Sequence, residues 1–441
     1  KPYEIGSKHT SILKFVKSYL GEKKVPTLCD DPNLAPYGAC RVCSVEVALE
    51  KDGPTKVVAS CHTPVGENQH IFTNNESLTD LMNESSNIRN ERWGKTLTYS
   101  RKVFVPLTNM CRNNCGYCTF VQSPKSEFAK ILTPSEVIQI VRKGEKNKCK
   151  EVLFSLGEKP EIKYDIAKKK LLSLGYSRLI DYLREMCVMV LNETSLLSHT
   201  NMGTMNEEEI DILRPVTASM GMMLETSSLR LMKKGGAHFR CPDKVPFNRL
   251  QTIEYAGKKK VPFTTGILIG IGENWNERIE SLLAINELHK KYGHIQEVII
   301  QNFRTKKDIR MSNFLEPSKN DILKTIAIAR IILHPDISIQ APPNLSSFYL
   351  EYIKAGINDW GGISPVTIDY INPEREWPEI DMLKNNVQLM GHSLQERLTI
   401  YPNFQKPEKK FTSPEILSKI TKLARTDGLA NKQRRDLNDV L

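Results

Sequence analysis

Three cysteines stand close together in the chain at C-x3-C-x2-C spacing, namely Cys111, Cys115 and Cys118. Three thiolates can hold three irons of a cubane [4Fe-4S] cluster, which leaves the fourth iron open to a ligand that it can bind and reduce. A zinc knot would need a fourth Cys or His at short spacing, and none follows Cys118. The spacing therefore favours an open iron–sulfur cluster over a zinc site or three unrelated core thiols.

A second group of four cysteines precedes this stretch: Cys29, Cys40, Cys43 and Cys61. The small residues Gly38 and Ala39 let the backbone wrap closely around a cluster, and segments 44–47 and 57–59 have strand character. Four thiolates on separated loops suit a [2Fe-2S] cluster. The alternative is a four-cysteine zinc site, which usually has two C-x2-C pairs, whereas this segment has one.

Size and composition indicate a large globular chain with a small extra module. The 441 residues are 40% hydrophobic and contain no apolar run long enough to span a membrane. No signal peptide is visible, and grouped cysteines indicate metal sites in a reducing compartment, so we expect a cytoplasmic protein. The net charge of +11 comes from scattered lysines, which suits solvated faces or an acidic redox partner better than nucleic acid.

Alternating strand and helix patterns after residue 102 predict a (β/α) barrel of the TIM type, an α/β fold. Thr133 and Asn206 are expected helix N-caps. The strands are predicted at 103–108, 151–155, 217–224, 262–269, 295–301 and 337–340. The helices are predicted at 134–144, 178–189, 207–213, 248–256, 275–290, 319–333 and 345–355.

The chain thus divides into four predicted parts. Residues 1–80 form the [2Fe-2S] module, 81–102 a linker with a short helix, 103–405 the barrel, and 406–441 a Lys-rich tail with a surface helix at 414–424. The remaining cysteines have no partners at ligand spacing and are interpreted as ordinary thiols: Cys149, Cys187 and Cys241.

The chemistry of such a barrel lies at the carboxyl ends of its strands. One predicted strand ends in Gly157-Glu158, where the glycine lets a ligand approach the backbone and the carboxylate can meet an ammonium group. A later strand ends in Glu225 with Ser227 close behind it. Another ends in a glycine-rich turn with Gly270 and Gly272, which by itself would be weak support for a cofactor site.

The cysteine spacing, with Tyr117 before the last cysteine, resembles the signature of the radical S-adenosylmethionine (SAM) superfamily. This resemblance implies that Gly157 and Glu158 hold the amino group of SAM. It further implies contacts from Glu225 and Ser227 to the ribose or carboxylate, and packing of the Gly270–Gly272 element along the adenine.

Ordered blocks from about residue 103 to 401 resemble one family within it, the 7,8-didemethyl-8-hydroxy-5-deazariboflavin synthases. They include 195–201, 218–225, 262–273, 293–304, 340–345 and 358–367. Residues 5 to about 73 instead resemble the β-grasp [2Fe-2S] ferredoxin-like module of the NADH dehydrogenase large subunit, with its first strand absent. Such a module is not expected in the usual synthase, so its role stays open.

The family resemblance implies a lyase that uses a [4Fe-4S] cluster and SAM, with a low-potential electron donor. A 5'-deoxyadenosyl radical would take a hydrogen from 5-amino-5-(4-hydroxybenzyl)-6-(D-ribitylimino)-5,6-dihydrouracil, and ring closure with loss of ammonia would follow. His199 or Glu225 could move protons. The residues expected to contact this substrate are Asn201, Gln301, Asn302, Asn344, Asn358, Asp359 and Trp360, together with His199.

Three alternatives stay open. The barrel could insert sulfur, could join tyrosine to a uracil as the enzyme preceding it in that pathway does, or could be a non-catalytic part of an electron-transfer protein. Intact SAM motifs argue against the last. The expected partners are the hydroxybenzyl-uracil substrate, the electron donor and the partner synthase that makes the substrate, with no nucleic acid and no membrane.

Overall fold

The computed structural model describes residues 4–5, 10–20, 44–49, 56–67, 69–72 and 77–431. Within these ranges, no helix combines the length and the apolar character that a membrane crossing requires. Cys29, Cys40 and Cys43 lie outside the described residues, so the predicted [2Fe-2S] site is represented here by Cys61 alone.

The N-terminal part contains one helix and a small antiparallel sheet. Helix α1 is Ile12–Leu20, and strands β1, β2 and β3 are Ser44–Ala48, Lys56–Ala59 and His70–Phe72, paired in the order β2-β1-β3. The apolar side of α1, with Ile12, Leu13 and Val16, packs on Val45 of this sheet and on Cys61. This core is separate from that of the barrel, and the ferredoxin-like assignment stays a prediction.

Eight parallel strands close into a barrel, which confirms the predicted (β/α) architecture. In order these are β4 Thr96–Thr108, β5 Glu151–Leu156, β6 Leu197–Asn201, β7 Ser219–Gly221, β8 Phe263–Ile269, β9 Ile295–Asn302, β10 Ser338–Gln340 and β11 Asp359–Ile363. The ring closes because β11 pairs with β4. A further strand, β12 at Ser393–Glu396, pairs with the first residues of β4 outside the ring.

Helices cover the outside of this ring. They are α2 Ser77–Trp93, α3 Pro134–Lys146, α4 Pro160–Lys163, α5 Asp165–Ser173, α6 Leu179–Glu193, α7 Glu207–Leu213, α8 Pro246–Lys258, α9 Trp275–Tyr292, α10 Lys319–Ile332, α11 Glu351–Lys354, α12 Ile380–Leu389 and α13 Pro414–Leu423. Short 3-10 turns lie at Arg214–Val216, Leu229–Met232, Pro242–Lys244, Pro402–Phe404 and Pro407–Lys409.

Two predicted helix starts are confirmed. The Thr133 side chain accepts a hydrogen bond from the backbone of Glu136, whose carboxylate bonds back to Thr133, and Asn206 and Glu209 form the same capping box. Each cap stabilises its helix by about 1 kcal/mol. They fix α3 and α7 on the outside of the strands that carry the site.

The prediction that residues 81–102 form a linker is corrected by the structure. Helix α2 occupies the first part of this segment and packs on the barrel, where Ser85 and Arg89 donate hydrogen bonds to the carbonyls of Ala355 and Ile357. Strand β4 begins at Thr96 rather than at 103. The sequence pattern missed this half of the strand because residues 96–102 include several polar side chains. These side chains face the barrel interior or lie beside β12.

The segment after β12 crosses the amino-terminal mouth of the barrel and closes it. The Arg397 backbone bonds to Tyr99 of β4 at 2.8 Å, while Gln296 of β9 bonds to the Thr399 carbonyl at 2.9 Å and to the Tyr401 amide at 3.1 Å. Beneath this segment, Ile416 and Ile420 of α13 join its apolar side chains in one core. The interior is therefore open at the carboxyl ends of the strands and closed at the other end.

Candidate active site

The predicted cluster loop follows β4 directly and lies at the open end of the barrel. Cys111, Cys115 and Cys118 line a cavity of about 390 Å³ that continues into the barrel interior. Cys111 is buried, and its Sγ accepts hydrogen bonds from the backbone of Glu158 at 3.1 Å and of Asn113 at 3.4 Å. Backbone donors of this kind stabilise thiolate sulfur in iron–sulfur sites, so Cys111 fits a cluster ligand, and Cys115 and Cys118 line the same cavity beside it.

The three thiols differ in their surroundings. Burial raises the pKa of Cys111 to about 12 and the pKa of Cys118 to about 11 in the metal-free protein. The pKa of Cys115 is lowered instead, chiefly because the thiol of Cys241 donates a hydrogen bond to it. Cys241 was predicted to be an ordinary thiol without a partner. It contacts the site because the loop after β7 folds back over the cluster loop, where the Gly116 amide bonds to the Ala237 carbonyl at 2.7 Å.

Gly157 and Glu158 lie beside Cys111, at the end of β5. A side chain on Gly157 would place its Cβ 1.9 Å from the carbonyl oxygen of Met110, so the cluster loop and β5 can approach this closely only with glycine there. The buried Glu158 carboxylate accepts hydrogen bonds from Asn113 at 3.0 Å and Thr204 at 2.6 Å. Burial raises the pKa of Glu158. Contact of Glu158 with the amino group of SAM stays a prediction.

A second carboxylate, Glu225, lies in the same cavity and is surrounded by cationic and hydroxyl groups. Lys244 Nζ is 2.5 Å from Glu225 Oε1, His238 Nε2 is 2.9 Å from Oε2, and the Tyr117 hydroxyl also donates to Oε2. Burial alone would raise the pKa of Glu225, but Lys244, His238 and Arg249 together hold this pKa well below its usual range. Glu225 is therefore an ionised carboxylate at neutral pH.

Three of these partners were not predicted, namely Lys244, His238 and Arg249. Lys244 and Arg249 lie in the segment 241–249, which follows β7 and the residue Glu225. Only this closeness in the sequence to Glu225 could have suggested that they contact its carboxylate. The backbone of Glu225 itself has a left-handed φ of 65°, which is strained for a non-glycine residue and is compatible with a functional position.

The structure gives less direct support to the residues that were predicted to contact the adenine and ribose of SAM. The Ser227 amide and hydroxyl bond to the Ser281 hydroxyl on α9 at 2.8 and 3.1 Å, so Ser227 is occupied by helix packing. Gly270 and Gly272 have left-handed φ values of 89° and 102°, and the Glu273 carboxylate accepts from the amides of Gly270 and Ile271 at 2.8 Å. Leu268, on β8 just before this glycine-rich turn, lines the cavity.

Four of the predicted substrate residues line the barrel interior: His199, Asn201, Gln301 and Asn302. His199 Nδ1 is 2.7 Å from the Ser219 hydroxyl, while a Cβ built on Gly221 would lie 2.7 Å from His199 Nε2. Because Gly221 has no side chain, His199 Nε2 is open to the barrel interior. Burial lowers the pKa of His199 to about 3, so the imidazole is neutral at physiological pH.

The other four predicted substrate residues are corrected by their positions. Trp360 is fully buried and packs against Tyr349 and Tyr352, with ring centroids 5.6 and 6.5 Å away. The remaining three are each bonded within the protein: Asn358 to Arg330, Asp359 to Arg397, and Asn344 to Asp369. Asn358 and Asp359 lie at the start of β11 and Asn344 follows β10, and none of the three lines the cavity, so their polar groups are used by the fold.

Several charged residues of the interior were missed by sequence reasoning: Lys102, Glu151, Glu297 and Arg397. For Glu297 a signal existed, because it lies four residues before Gln301 on β9 and alternate residues of a strand share a face. Arg397 lies far away in the sequence and follows β12, so no strand pattern connects it with the interior.

Comparison with known proteins agrees with this geometry. The radical SAM superfamily matches residues 105–285. The 7,8-didemethyl-8-hydroxy-5-deazariboflavin synthase of Methanopyrus kandleri is 50% identical over 70% of this chain and 92% of its own length. The synthase of Methanocaldococcus jannaschii is 46% identical over 80% of this chain and 96% of its length. The FO synthase of Nocardia farcinica is 44% identical over 81% of this chain, and the match spans 44% of that longer protein.

Solved structures with low sequence identity share the fold. The FeFe-hydrogenase maturase HydG from Carboxydothermus hydrogenoformans superposes with a TM-score of 0.61 at 17% identity, covering 79% of this chain and 84% of that chain. Methylornithine synthase (PylB) superposes with a TM-score of 0.57 at 18% identity, covering 73% and 90%. At these identities the likeness shows the barrel fold alone.

Proposed function

This chain belongs to the 7,8-didemethyl-8-hydroxy-5-deazariboflavin synthase family of radical SAM enzymes, and from that premise we propose that it closes the deazaflavin ring. The substrate is 5-amino-5-(4-hydroxybenzyl)-6-(D-ribitylimino)-5,6-dihydrouracil. The products are the deazaflavin, ammonia, 5'-deoxyadenosine and methionine, which makes the enzyme a carbon–nitrogen lyase. The observation that carries this proposal is the continuous cavity from the three cysteines to a polar, closed barrel interior.

Cys111, Cys115 and Cys118 would hold a [4Fe-4S] cluster, which with bound SAM supplies a 5'-deoxyadenosyl radical. Glu158 would accept a hydrogen bond from the SAM amino group, because its carboxylate lies in the cavity beside Cys111. Glu225, with Lys244 and Tyr117 around it, would orient the polar end or the ribose of SAM rather than move protons. A carboxylate with a strongly lowered pKa is a weak base.

The substrate would lie deeper in the barrel than SAM. Asn201, Gln301 and Asn302 line the cavity at the carboxyl ends of β6 and β9, and amide side chains can both donate to and accept from a uracil. His199, held neutral, would present Nε2 to the substrate as a hydrogen-bonding group, and its lowered pKa makes it, like Glu225, a weak base. The closed lower mouth of the barrel would exclude water from the reacting carbon.

We further propose that a [2Fe-2S] cluster on Cys29, Cys40, Cys43 and Cys61 relays electrons from a low-potential donor to the SAM-binding cluster. Helix α2 supports this arrangement. It packs along α10, and its last turn contacts the segment before β10, where Arg92 pairs with Asp336 at 2.6 Å. A helix of 17 residues is about 25 Å long, so Ser77 lies toward the open end of the barrel. Five peptide spacings from Phe72 to Ser77 span at most about 18 Å, which tethers the module near that end.

Two further proposals concern the setting of the enzyme. A partner enzyme would supply the substrate by joining tyrosine to the ribityl uracil, and the length of the FO synthase from Nocardia, of which this chain matches 44%, is compatible with such a second activity. Grouped thiols and the need for a reduced cluster suit the reducing cytoplasm.

Product analysis tests the reaction. Reconstituted enzyme is incubated without oxygen with SAM, dithionite and the hydroxybenzyl-uracil adduct, and the products are separated by liquid chromatography. The proposal predicts a fluorescent deazaflavin and ammonium in equal amounts, together with 5'-deoxyadenosine. A sulfur-containing product in their place would show a sulfur-inserting enzyme, and cleavage of SAM without any change in the adduct would also contradict the proposal.

A further inference from the structure

The closed end of the barrel interior carries a compact set of polar side chains, which we call the lumen floor. Its members are Lys102, Glu151, His199, Thr264, Glu297 and Arg397, all of them buried and all lining the cavity. Lys102 precedes the end of β4 at Thr108 by six residues, which corresponds to about 20 Å along the strand. The floor is therefore the part of the cavity farthest from the cluster loop.

Every cation of the floor already has a carboxylate partner. Lys102 Nζ is 2.7 Å from Glu151 Oε1. Arg397 binds Asp359 through Nε at 2.6 Å and Nη2 at 2.9 Å, and its Nη2 also lies 3.1 Å from Glu297 Oε1. Three carboxyl groups, those of Glu151, Glu297 and Asp359, thus surround the two cations. A phosphate or carboxylate ligand would need unpaired cations or free backbone amides, and this arrangement provides carboxylates instead.

The same groups can bind hydroxyls. Glu297 Oε2 accepts from the Thr264 hydroxyl at 3.1 Å and has further acceptor capacity. His199 Nε2 and Asn201 Oδ1 both lie against Gly221, within 2.7 and 2.6 Å of where a Cβ would be, so only glycine leaves them accessible. Gly362 has the same effect at Lys102, whose Cε would be 2.1 Å from an added Cβ. Donors and acceptors around an open space are complementary to a chain of hydroxyl groups, each of which donates and accepts.

We propose that the lumen floor is the subsite for the ribityl chain, and that it selects the free, uncharged polyol over its phosphate ester. This assignment rests on the proposed function, which supplies the ribityl group. It places the hydroxybenzyl end of the substrate toward the cluster loop and the polyol at the closed end. The enzyme that supplies the substrate must accordingly deliver a ribityl compound without a terminal phosphate.

A purely structural role is the alternative to this assignment. Buried ion pairs seldom stabilise a fold more than apolar packing of the same volume, so stability alone gives weak reason for so many charges facing a cavity. The two roles differ in what a substitution does to binding. A structural network affects all ligands equally, whereas a polyol subsite affects only ligands that carry the polyol.

Fluorescence binding to the reconstituted full-length enzyme with SAM tests this difference without turnover. The probes are the deazaflavin product, its ribityl 5'-phosphate ester and an analogue with methyl in place of ribityl. We expect the phosphate ester to bind the wild-type enzyme at least about tenfold more weakly than the alcohol. In Glu297→Gln and Lys102→Met, the dissociation constant of the alcohol should rise roughly tenfold to a hundredfold, as expected for loss of hydrogen bonds to charged groups. In the same variants, the dissociation constant of the methyl analogue should change by less than about twofold.

Matched controls are Glu193→Gln and Lys146→Met, which remove the same charges at exposed positions on α6 and α3. If the floor variants do not fold, Thr264→Val removes one hydroxyl at nearly constant volume and should weaken the alcohol selectively. Equal weakening of alcohol and methyl analogue, or equal binding of alcohol and phosphate ester, overturns the floor assignment alone. Failure of all three probes to bind the wild-type enzyme overturns both this assignment and the proposed function.

Discussion

The backbone N–H of Glu158 donates a hydrogen bond to Cys111 Sγ at 3.1 Å, so one residue contacts the predicted cluster ligand with its main chain and the cavity with its side chain. The two roles can be separated, because a substitution removes the carboxylate and leaves the N–H in place.

We therefore expect Glu158→Gln to keep the iron–sulfur cluster and lose affinity for SAM. On our proposal the carboxylate would make a charge-assisted hydrogen bond to the ammonium group of SAM, and loss of such a bond costs about 1.5–3 kcal/mol, or roughly ten- to a hundredfold in the dissociation constant. Equilibrium dialysis with SAM gives the affinity, and the visible and electron paramagnetic resonance spectra give the cluster. Glu193→Gln serves as the exposed control. Unchanged SAM affinity with an intact cluster would contradict the role of Glu158.

Replacement of Cys111, Cys115 and Cys118 together by Ala should abolish formation of 5'-deoxyadenosine. The visible spectrum of the proposed N-terminal [2Fe-2S] cluster should remain, because its four predicted ligands lie elsewhere in the chain. Cys149→Ala is the control, since Cys149 is buried at the start of β5 and does not line the cavity. Normal 5'-deoxyadenosine from the triple variant would disprove the cluster assignment.

Removal of Lys244 should destabilise the fold through Glu225. Glu225 is buried and the Lys244 side chain is only 11% exposed, and deleting one partner of a buried ion pair costs about 3–5 kcal/mol because the other charge remains uncompensated. Lys244→Met should therefore lower the free energy of unfolding of the metal-free protein in urea at pH 7. The double variant Lys244→Met/Glu225→Gln should recover part of this loss. A double variant that is less stable than Lys244→Met would contradict this account.

The same carboxylate predicts a pH dependence. The pKa of Glu225 is lower in the folded protein than its unfolded value near 4.5, so the folded state binds fewer protons in acid. The stabilisation from Glu225 is thus complete above about pH 4.5 and is lost as the pH falls through the folded pKa. Urea unfolding of metal-free wild type and Glu225→Gln between about pH 6 and 3 measures it. The wild type should lose more stability over this range, and parallel curves would refute the prediction.

The relay proposal predicts a donor-specific effect of the N-terminal ligands. In full-length Cys40→Ser/Cys43→Ser, turnover with a protein reductant should fall at least about tenfold, because the intramolecular donor is lost, while turnover with dithionite persists. Deletion up to about residue 90 would be a poor test, since it removes most of α2 and its hydrogen bonds to the barrel. Unchanged turnover with the protein reductant would rule the relay out.

The sequence predicted the barrel correctly from its alternating strand and helix patterns, and the structure places the predicted cysteine loop and the Gly157-Glu158 pair at one cavity, while their roles stay predictions. Sequence reasoning missed β6 and β11, since Leu197–Asn201 and Asp359–Ile363 carry polar or glycine residues that break an apolar strand pattern. It misassigned Trp360 because the two faces of a short, irregular strand cannot be told apart without its neighbours. Arg397 enters the interior from a crossing segment that no local pattern predicts.

The measurement that tests the central claim most directly uses the hydroxybenzyl-uracil adduct with deuterium at the benzylic carbon. The reconstituted enzyme is incubated with this adduct, SAM and dithionite, and 5'-deoxyadenosine is analysed by mass spectrometry while deazaflavin is measured by fluorescence. We predict one deuterium in 5'-deoxyadenosine for each deazaflavin formed. Unlabelled 5'-deoxyadenosine accompanied by no deazaflavin would contradict the claim that this chain closes the deazaflavin ring.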